Sequence, residues 1–350
     1  MPDEILSPFE FAKRERDDSI RRLISKINSE SSVKGVSSYY DKNEDAILFR
    51  LDDAELLRKF HKICGIAPEH TEYELELYQQ RNVGIYLGDI ERNFVRIAEN
   101  VKSLMPSYAT NLKEVPIIVD ANTKYNGWAR PVPDGGSYIG VYSGIVSMWL
   151  WITAYNIGLD RYENHVQGES YRDLFAAMPW SAEQALCNPY DPPLFSVRGF
   201  PSWAYPQINK LAHDESSENY LHLRICDHFI LAHELGHIAL GHIENIRYGM
   251  PSDLSILRQF EFEADSFAAE VFLKMCKKGK PSQYIHPLFG LFEIWHVYEK
   301  KAGLSVQSHP TALERFGRVC KKLTPKKYMQ TQTLLYTLAE VMFAAECDAK

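Results

Sequence analysis

The feature that most constrains this chain is a pair of histidines four residues apart, His233 and His237, in a stretch that no proline interrupts. On a helix, side chains at i and i+4 project from one face, so the two imidazoles can share one cation. Leu221, Ile225, Phe229, Ile230 and Ile238 recur at helical spacing and predict that the segment is a helix with an apolar face. Glu234 sits beside the first histidine. There its carboxylate can take a proton from a water whose pKa a metal lowers from about 16 to about 7, and can pass it to a leaving amine. A random chain of this length contains H-E-x-x-H about one time in a hundred. Histidines that merely cap or line a core helix are therefore the alternative until a third ligand is found.

A hydrolytic zinc takes three protein ligands and keeps a fourth position open. The run Phe260-Glu261-Phe262-Glu263-Ala264-Asp265 begins shortly after the histidine pair, with Glu261 24 residues beyond His237. It lies in a second helical pattern marked by Leu257, Phe260, Ala264, Phe267, Ala268 and Val271. Glu261 and Asp265 share a face, so Glu261 is the expected third ligand. Asp265 is expected to accept the outer N–H of a ligand histidine and fix its tautomer, so that Asp265→Asn weakens zinc binding and leaves the fold intact. Glu263 points roughly the other way, and a solvated acidic face is the bland reading of the triplet. His242 follows Gly241 and reads as a partly exposed cap past the helix end rather than a ligand. His222 and His228 fall off the ligand face. The six cysteines are far apart with no C-x-x-C pair, which predicts free thiols and no thiolate site, hence one zinc per chain.

The rest of the chain frames these helices. Residues 1–112 read as a mainly helical N-terminal lobe. Asp53 is placed to cap a helix from Ala54, a second helix runs from about Asp89 to Met105, and a hairpin turns around residues 41–45. Phe94, Val95, Ile97, Ala98, Val101 and Leu104 are its expected buried face. Residues 113–350 read as the metal-binding domain, with apolar runs at Val115–Val119 and Tyr138–Tyr142 as antiparallel strands and an irregular insert at about 160–215. Leu334–Ala345 has amphipathic helical spacing. The formal charge is −7 without a basic block, which argues against nucleic acid as a partner. The acidic start Met1-Pro2-Asp3-Glu4 lacks an apolar core behind it, so a cytoplasmic location is expected. Gly135–Leu159 carries no charge and is long enough for a membrane span. It reads better as a strand followed by a buried helix, Ile145–Ile157.

Several of these residues resemble a known group. Glu261 to Asp265 matches E-x-x-A-D, and His233 to His242 matches H-E-x-G-H-x-x-L-G-H, the pattern of gluzincin metallopeptidases in their small ImmA/IrrE-like version. Asn126-Gly127-Trp128-Ala129 followed by Tyr138-Ile139-Gly140-Val141-Tyr142-Ser143-Gly144 resembles the minigluzincin active-site hairpin, in which an Asn-Ala-x-Ala turn precedes the strand that pairs with substrate. Ser308-His309-Pro310 with Arg315 resembles H-P-x-x-x-x-R, whose histidine or arginine faces the reaction centre. The resemblance covers residues 115–147 and 218–325, with Gly127 in place of the usual alanine and about 85 residues between hairpin and metal helix. A long chain of this kind is also similar to the phage-exclusion proteases that cleave a translation factor.

The resemblance implies an α+β gluzincin-type fold, with a short antiparallel sheet packed on the H-E-x-x-H helix. It implies a zinc-dependent endopeptidase acting on a protein or peptide substrate. His233, His237 and Glu261 are the expected ligands, Glu234 the general base and Asp265 the support. Asn126, Ala129, Ile139, Gly140 and Val141 are the expected substrate-binding residues, with Tyr138–Ser143 as the edge to which substrate adds a strand. His309 is the expected oxyanion partner and Arg315 its alternative. Two rival readings are a non-catalytic metal-containing sensor of the same fold and a membrane-embedded quality-control peptidase.

Overall fold

The computed structural model describes residues 6–30, 36–63, 68–79, 84–121, 126–145, 218–247, 249, 251, 253–276, 280–301 and 309–324. The expected helix at Ile145–Ile157, the insert and the run Leu334–Ala345 lie largely or wholly outside them. Among the described residues the fold is α+β, mostly helical with two small sheets. Among the described residues no helix is long and apolar enough to cross a membrane. These residues fall into two compact units, one from Met1–Asn93, Ile117–Asn126 and Gly140–Tyr220 and one from Phe94–Pro116, Gly127–Ile139 and Leu221–Lys350. The units interleave along the chain, whereas the boundary read from the sequence is a single cut at 112.

The first unit opens with α1 (Pro8–Glu30). Ser7 and Glu10 exchange side-chain and backbone hydrogen bonds at its start, satisfying donors that the first turn leaves unpaired. Its buried stripe, Ala12, Ser19, Ile20, Leu23 and Ile27, follows helical spacing and packs on the strands of the unit. Val36–Asp41 (β1) and Ala46–Leu51 (β2) pair antiparallel from Val36 opposite Leu51 to Asp41 opposite Ala46, the expected hairpin. Gly84–Tyr86 (β3) adds a third strand beside β2. At the turn, Asp41 Oδ1 accepts from Asn43 N–H at 2.8 Å, and Asp45 takes a left-handed φ of 49°. Arg16 holds both oxygens of Asp45 at 2.6 Å, which anchors this turn to α1. Asp53 caps α2 (Ala54–Ile63) by accepting from Glu55 and Leu56 N–H, as expected. α3 (Pro68–Gln79) packs beside α2 and β2.

α4 (Leu87–Leu104) runs from the first unit into the second. Phe94, Ile97, Ala98 and Val101 are buried, but Val95 is 43% exposed, because one residue is a 100° step around a helix and carries it off the apolar stripe.

The second sheet takes Ile117–Asp120 (β4), Gly127–Pro131 (β5) and Ser137–Tyr142 (β6) in the order β4-β6-β5. β5 and β6 form an antiparallel hairpin, in which Val132 N–H donates to Gly136 O and Tyr142 N–H to Asn126 O. Gly135 and Gly136 supply the positive φ values its turn requires. Toward β4 the bonds advance in the same sense on both strands, Ile139 N–H to Pro116 O and Ser143 N–H to Asp120 O, so that pair is parallel. This corrects the expected antiparallel pairing of the two apolar runs. The tight turn joins β5 to β6, and β5 lets the chain return in the direction of β4.

The other described elements of the second unit are mainly helices. α5 (Glu218–Ala239) is buried on nearly every side from Leu223 to Ala239, although Leu221, assigned to its apolar face from the sequence, is 58% exposed near its first turn. Gly241 at φ 78° ends it and starts α6 (His242–Arg247). α7 (Leu254–Met275) is capped by Asp253, whose side chain accepts from Ser255 N–H. α8 (Ile285–Lys301) and α9 (Ala312–Leu323) pack together, and α9 also packs on α7. Phe229, Phe272 and Phe292 are fully buried and in ring contact, each contributing about 1.5–3 kcal/mol by leaving water.

Candidate active site

The candidate metal ligands His233, His237 and Glu261, with Glu234, Asp265, His309 and Arg315, belong to the second unit. α5 presents His233 and His237 one turn apart, and α7 presents Glu261 against them. The two Nε2 atoms lie 3.1 Å from each other, His233 Nε2 is 3.4 Å from Glu261 Oε2, and His237 Nε2 is 3.7 Å from Glu261 Oε1. Donor atoms about 2.0–2.1 Å from a tetrahedral zinc are separated by roughly 3.3 Å. The triangle therefore fits one zinc, and it forms the group of potential ligands found among the described residues.

Two helices come this close because Gly236 has no side chain. A Cβ there would stand 3.1 Å from Phe267 Cβ and 3.2 Å from Ala264 Cα, so a larger residue would push α7 away from α5. Glycine at this place in the motif is a contact requirement rather than a helix preference.

Charge favours a cation between the helices. Burial and the Arg315 guanidinium act to lower His233, yet Asp265 and Glu261 outweigh them and raise its pKa to about 9. Burial, then the neighbouring His233, lowers His237 to about 3, which keeps it in the neutral form that ligates metal. Burial would raise the Glu261 carboxyl, but His233, His309 and Arg315 hold it well below the usual carboxylate range. Glu234 is different. It is buried, and that burial pushes its carboxyl up to about 7, against the pull of His233 and of a hydrogen bond from Ala129 N–H. A carboxyl with that pKa is matched to moving a proton at neutral pH.

Around these residues lies a supporting layer. His233 Nδ1 is 2.9 Å from Asp265 Oδ1. Arg315 grips the same carboxylate with Nε at 2.9 Å and Nη2 at 2.8 Å, and its Nη1 is 3.5 Å from Glu261. The guanidinium is buried over Trp295. It is thus already engaged by two carboxylates. His309 Nδ1 is 3.4 Å from Glu261 Oε1, and its side chain is 68% exposed. Thr311 caps α9, in a reciprocal capping box with Glu314.

The sequence reading needs correction at the hairpin. Ile139, Gly140 and Val141 lie on β6, the central strand, and are buried. Ile139 and Ser143 donate toward β4 while Tyr142 donates toward β5, so both sides of β6 are already paired and no strand can be added there. The outer strand of the hairpin is β5, which begins after Asn126 and carries Ala129. Ala129 meets Glu234 through its N–H, and the Asn126 carbonyl accepts from Tyr142 N–H. Arg247 of α6 donates to Val132 O at 2.8 Å and Gly136 O at 2.6 Å and so braces the hairpin's turn.

His242 is a second correction. It is buried rather than a partly exposed cap, because its ring stacks on Phe260 with centroids 4.2 Å apart. Its Nδ1 is 3.1 Å from His237 Nδ1 and its Nε2 is 2.9 Å from Glu263 Oε2. Spacing alone hid this pair, because the left-handed Gly241 redirects the chain at the end of α5.

Residues 205–334 match the family described as Peptidase U49. The matched stretch, similar to a peptidase family, contains every helical residue of the candidate site. No curated protein and no solved structure shows significant similarity to the chain.

Proposed function

With the peptidase-family match as premise, we propose that this protein is a zinc-dependent endopeptidase of gluzincin type, hydrolysing peptide bonds in a protein substrate. The observation that carries the reading is the triangle of His233, His237 and Glu261 donor atoms with the buried Glu234 carboxyl beside it. When bound there, a zinc ion supplies Lewis acidity that polarises the scissile carbonyl and lowers the pKa of water. Glu234 takes the proton of the attacking water and delivers it to the leaving amine. Asp265 holds His233 by its Nδ1–H, and Arg315 holds Asp265. To His309, exposed and 3.4 Å from Glu261, the reading assigns donation to the oxyanion of the tetrahedral intermediate. The substrate adds as a strand along β5, the outer strand that carries Ala129. The resemblance to phage-exclusion proteases makes a translation factor the first substrate to try.

The test compares wild type with Glu234→Gln in cells, reading newly formed protein N-termini by mass spectrometry, together with zinc content of the purified proteins. The variant is expected to keep its zinc and its fold and to lose at least about 10²-fold in cleavage, the contribution of a positioned acid–base group. If wild type and variant give the same N-termini, the peptidase reading fails and a metal-containing binding module takes its place.

A further inference from the structure

The second histidine of the pair has a support of its own. His237 Nε2 belongs to the donor triangle, so its lone pair must be free for a metal and its proton must reside on Nδ1. That Nδ1 lies 3.1 Å from His242 Nδ1, and two ring nitrogens at this distance make a hydrogen bond only if one donates and the other accepts. With His237 donating, His242 accepts at Nδ1 and carries its own proton on Nε2. Its Nε2 is 2.9 Å from Glu263 Oε2, and a carboxylate can only accept, while Gln259 Nε2 donates to the other Glu263 oxygen at 2.8 Å. Each link therefore has one donor and one acceptor, in a single consistent direction. The ring plane of His242 is fixed by its stack on Phe260, with rings 10° from parallel.

We propose that His242 and Glu263 are positioning residues for the metal site: His242 fixes the tautomer and ring plane of His237, and Glu263 fixes the tautomer of His242. The two ligand histidines are then oriented by two different carboxylates of α7, Asp265 directly for His233 and Glu263 through an intervening imidazole for His237. This assigns a role to the last histidine of the H-E-x-G-H-x-x-L-G-H run and to the acidic residue between Glu261 and Asp265. The inference rests on the metal reading of the triangle.

The experiment titrates the full-length protein with zinc against a chelator of known affinity, and follows unfolding of the metal-free forms in parallel. His242→Phe keeps a ring for the Phe260 stack and removes both nitrogens. It is expected to bind zinc about 10- to 100-fold more weakly, the usual loss when a ligand histidine loses its hydrogen-bond partner. Glu263→Leu should weaken binding in the same direction, while Glu263→Gln, whose amide oxygen accepts the same bond, should restore most of it. In zinc-loaded protein, the imidazole ¹⁵N spectrum should report His237 protonated on Nδ1 and His242 on Nε2. Wild-type zinc affinity in His242→Phe overturns the proposal, and so does loss of metal-free stability at unchanged affinity, which marks a purely structural contact. Failure of the metal reading looks different: wild type and His233→Ala would both bind no stoichiometric zinc, and the relay falls with the site.

Discussion

Asp265 shows how one residue carries two duties. Its spacing from Glu261 predicted a hydrogen-bond partner for a ligand histidine, and His233 Nδ1 does lie 2.9 Å from it. The sequence did not reveal that the same carboxylate neutralises Arg315, a buried guanidinium bound in fork geometry. Removing the charge from one partner of a buried ion pair leaves the other uncompensated, at a cost on the order of 3 kcal/mol. Asp265→Asn is therefore expected to destabilise the metal-free protein by about that amount, besides weakening zinc binding about 10- to 100-fold. This revises the expectation of an intact fold. Urea unfolding of the metal-free variant checks it, and a stability equal to wild type would mean that Arg315 is held by Glu261 instead.

At the level of elements, the site depends on how closely α5 and α7 approach. Gly236 is the contact point, with Ala264 Cα and Phe267 Cβ within 3.2 Å of where its Cβ would stand. Backbone and a Cβ cannot swing aside as a flexible side-chain end can. Gly236→Ala would gain about 1 kcal/mol of helix propensity but lose about 1–3 kcal/mol to overpacking. The expected outcome is a net loss of stability with weaker zinc binding, because Glu261 moves with α7 away from the two histidines. Denaturant unfolding and chelator competition measure the two effects. A variant that is more stable than wild type and binds zinc equally well would show that the helices have slack at this point.

For the whole molecule, the division into two units places every candidate ligand in the second. A ligand that binds only the folded form stabilises it by about 2.7 kcal/mol at a hundredfold excess over its dissociation constant. Zinc is accordingly expected to raise the unfolding temperature of wild type, and chelation to reverse the rise. His233→Ala should abolish the difference. Hydrogen exchange should show added protection in α5, α7 and α9 and none in the β1–β2 hairpin. Protection that appears equally in both units would contradict a site confined to the second.

What the sequence determined by itself was local: residues linked by helical periodicity or by a tight turn. Four-residue spacing put His233 with His237 and Glu261 with Asp265, and Asp53 and the residues 41–45 announced a cap and a hairpin, because these relations depend only on backbone geometry within a few residues. The strand between residues 127 and 131 and the parallel pairing of β4 with β6 were not legible, since strand order is set by which edges meet in space. That order moved the candidate docking strand from β6 to β5. Nor was the relay from His237 through His242 to Glu263 visible, because it crosses a left-handed glycine and joins two helices. The candidate chemistry was written in short-range spacing; the supports that hold it at ligand distance came only from packing one helix against another.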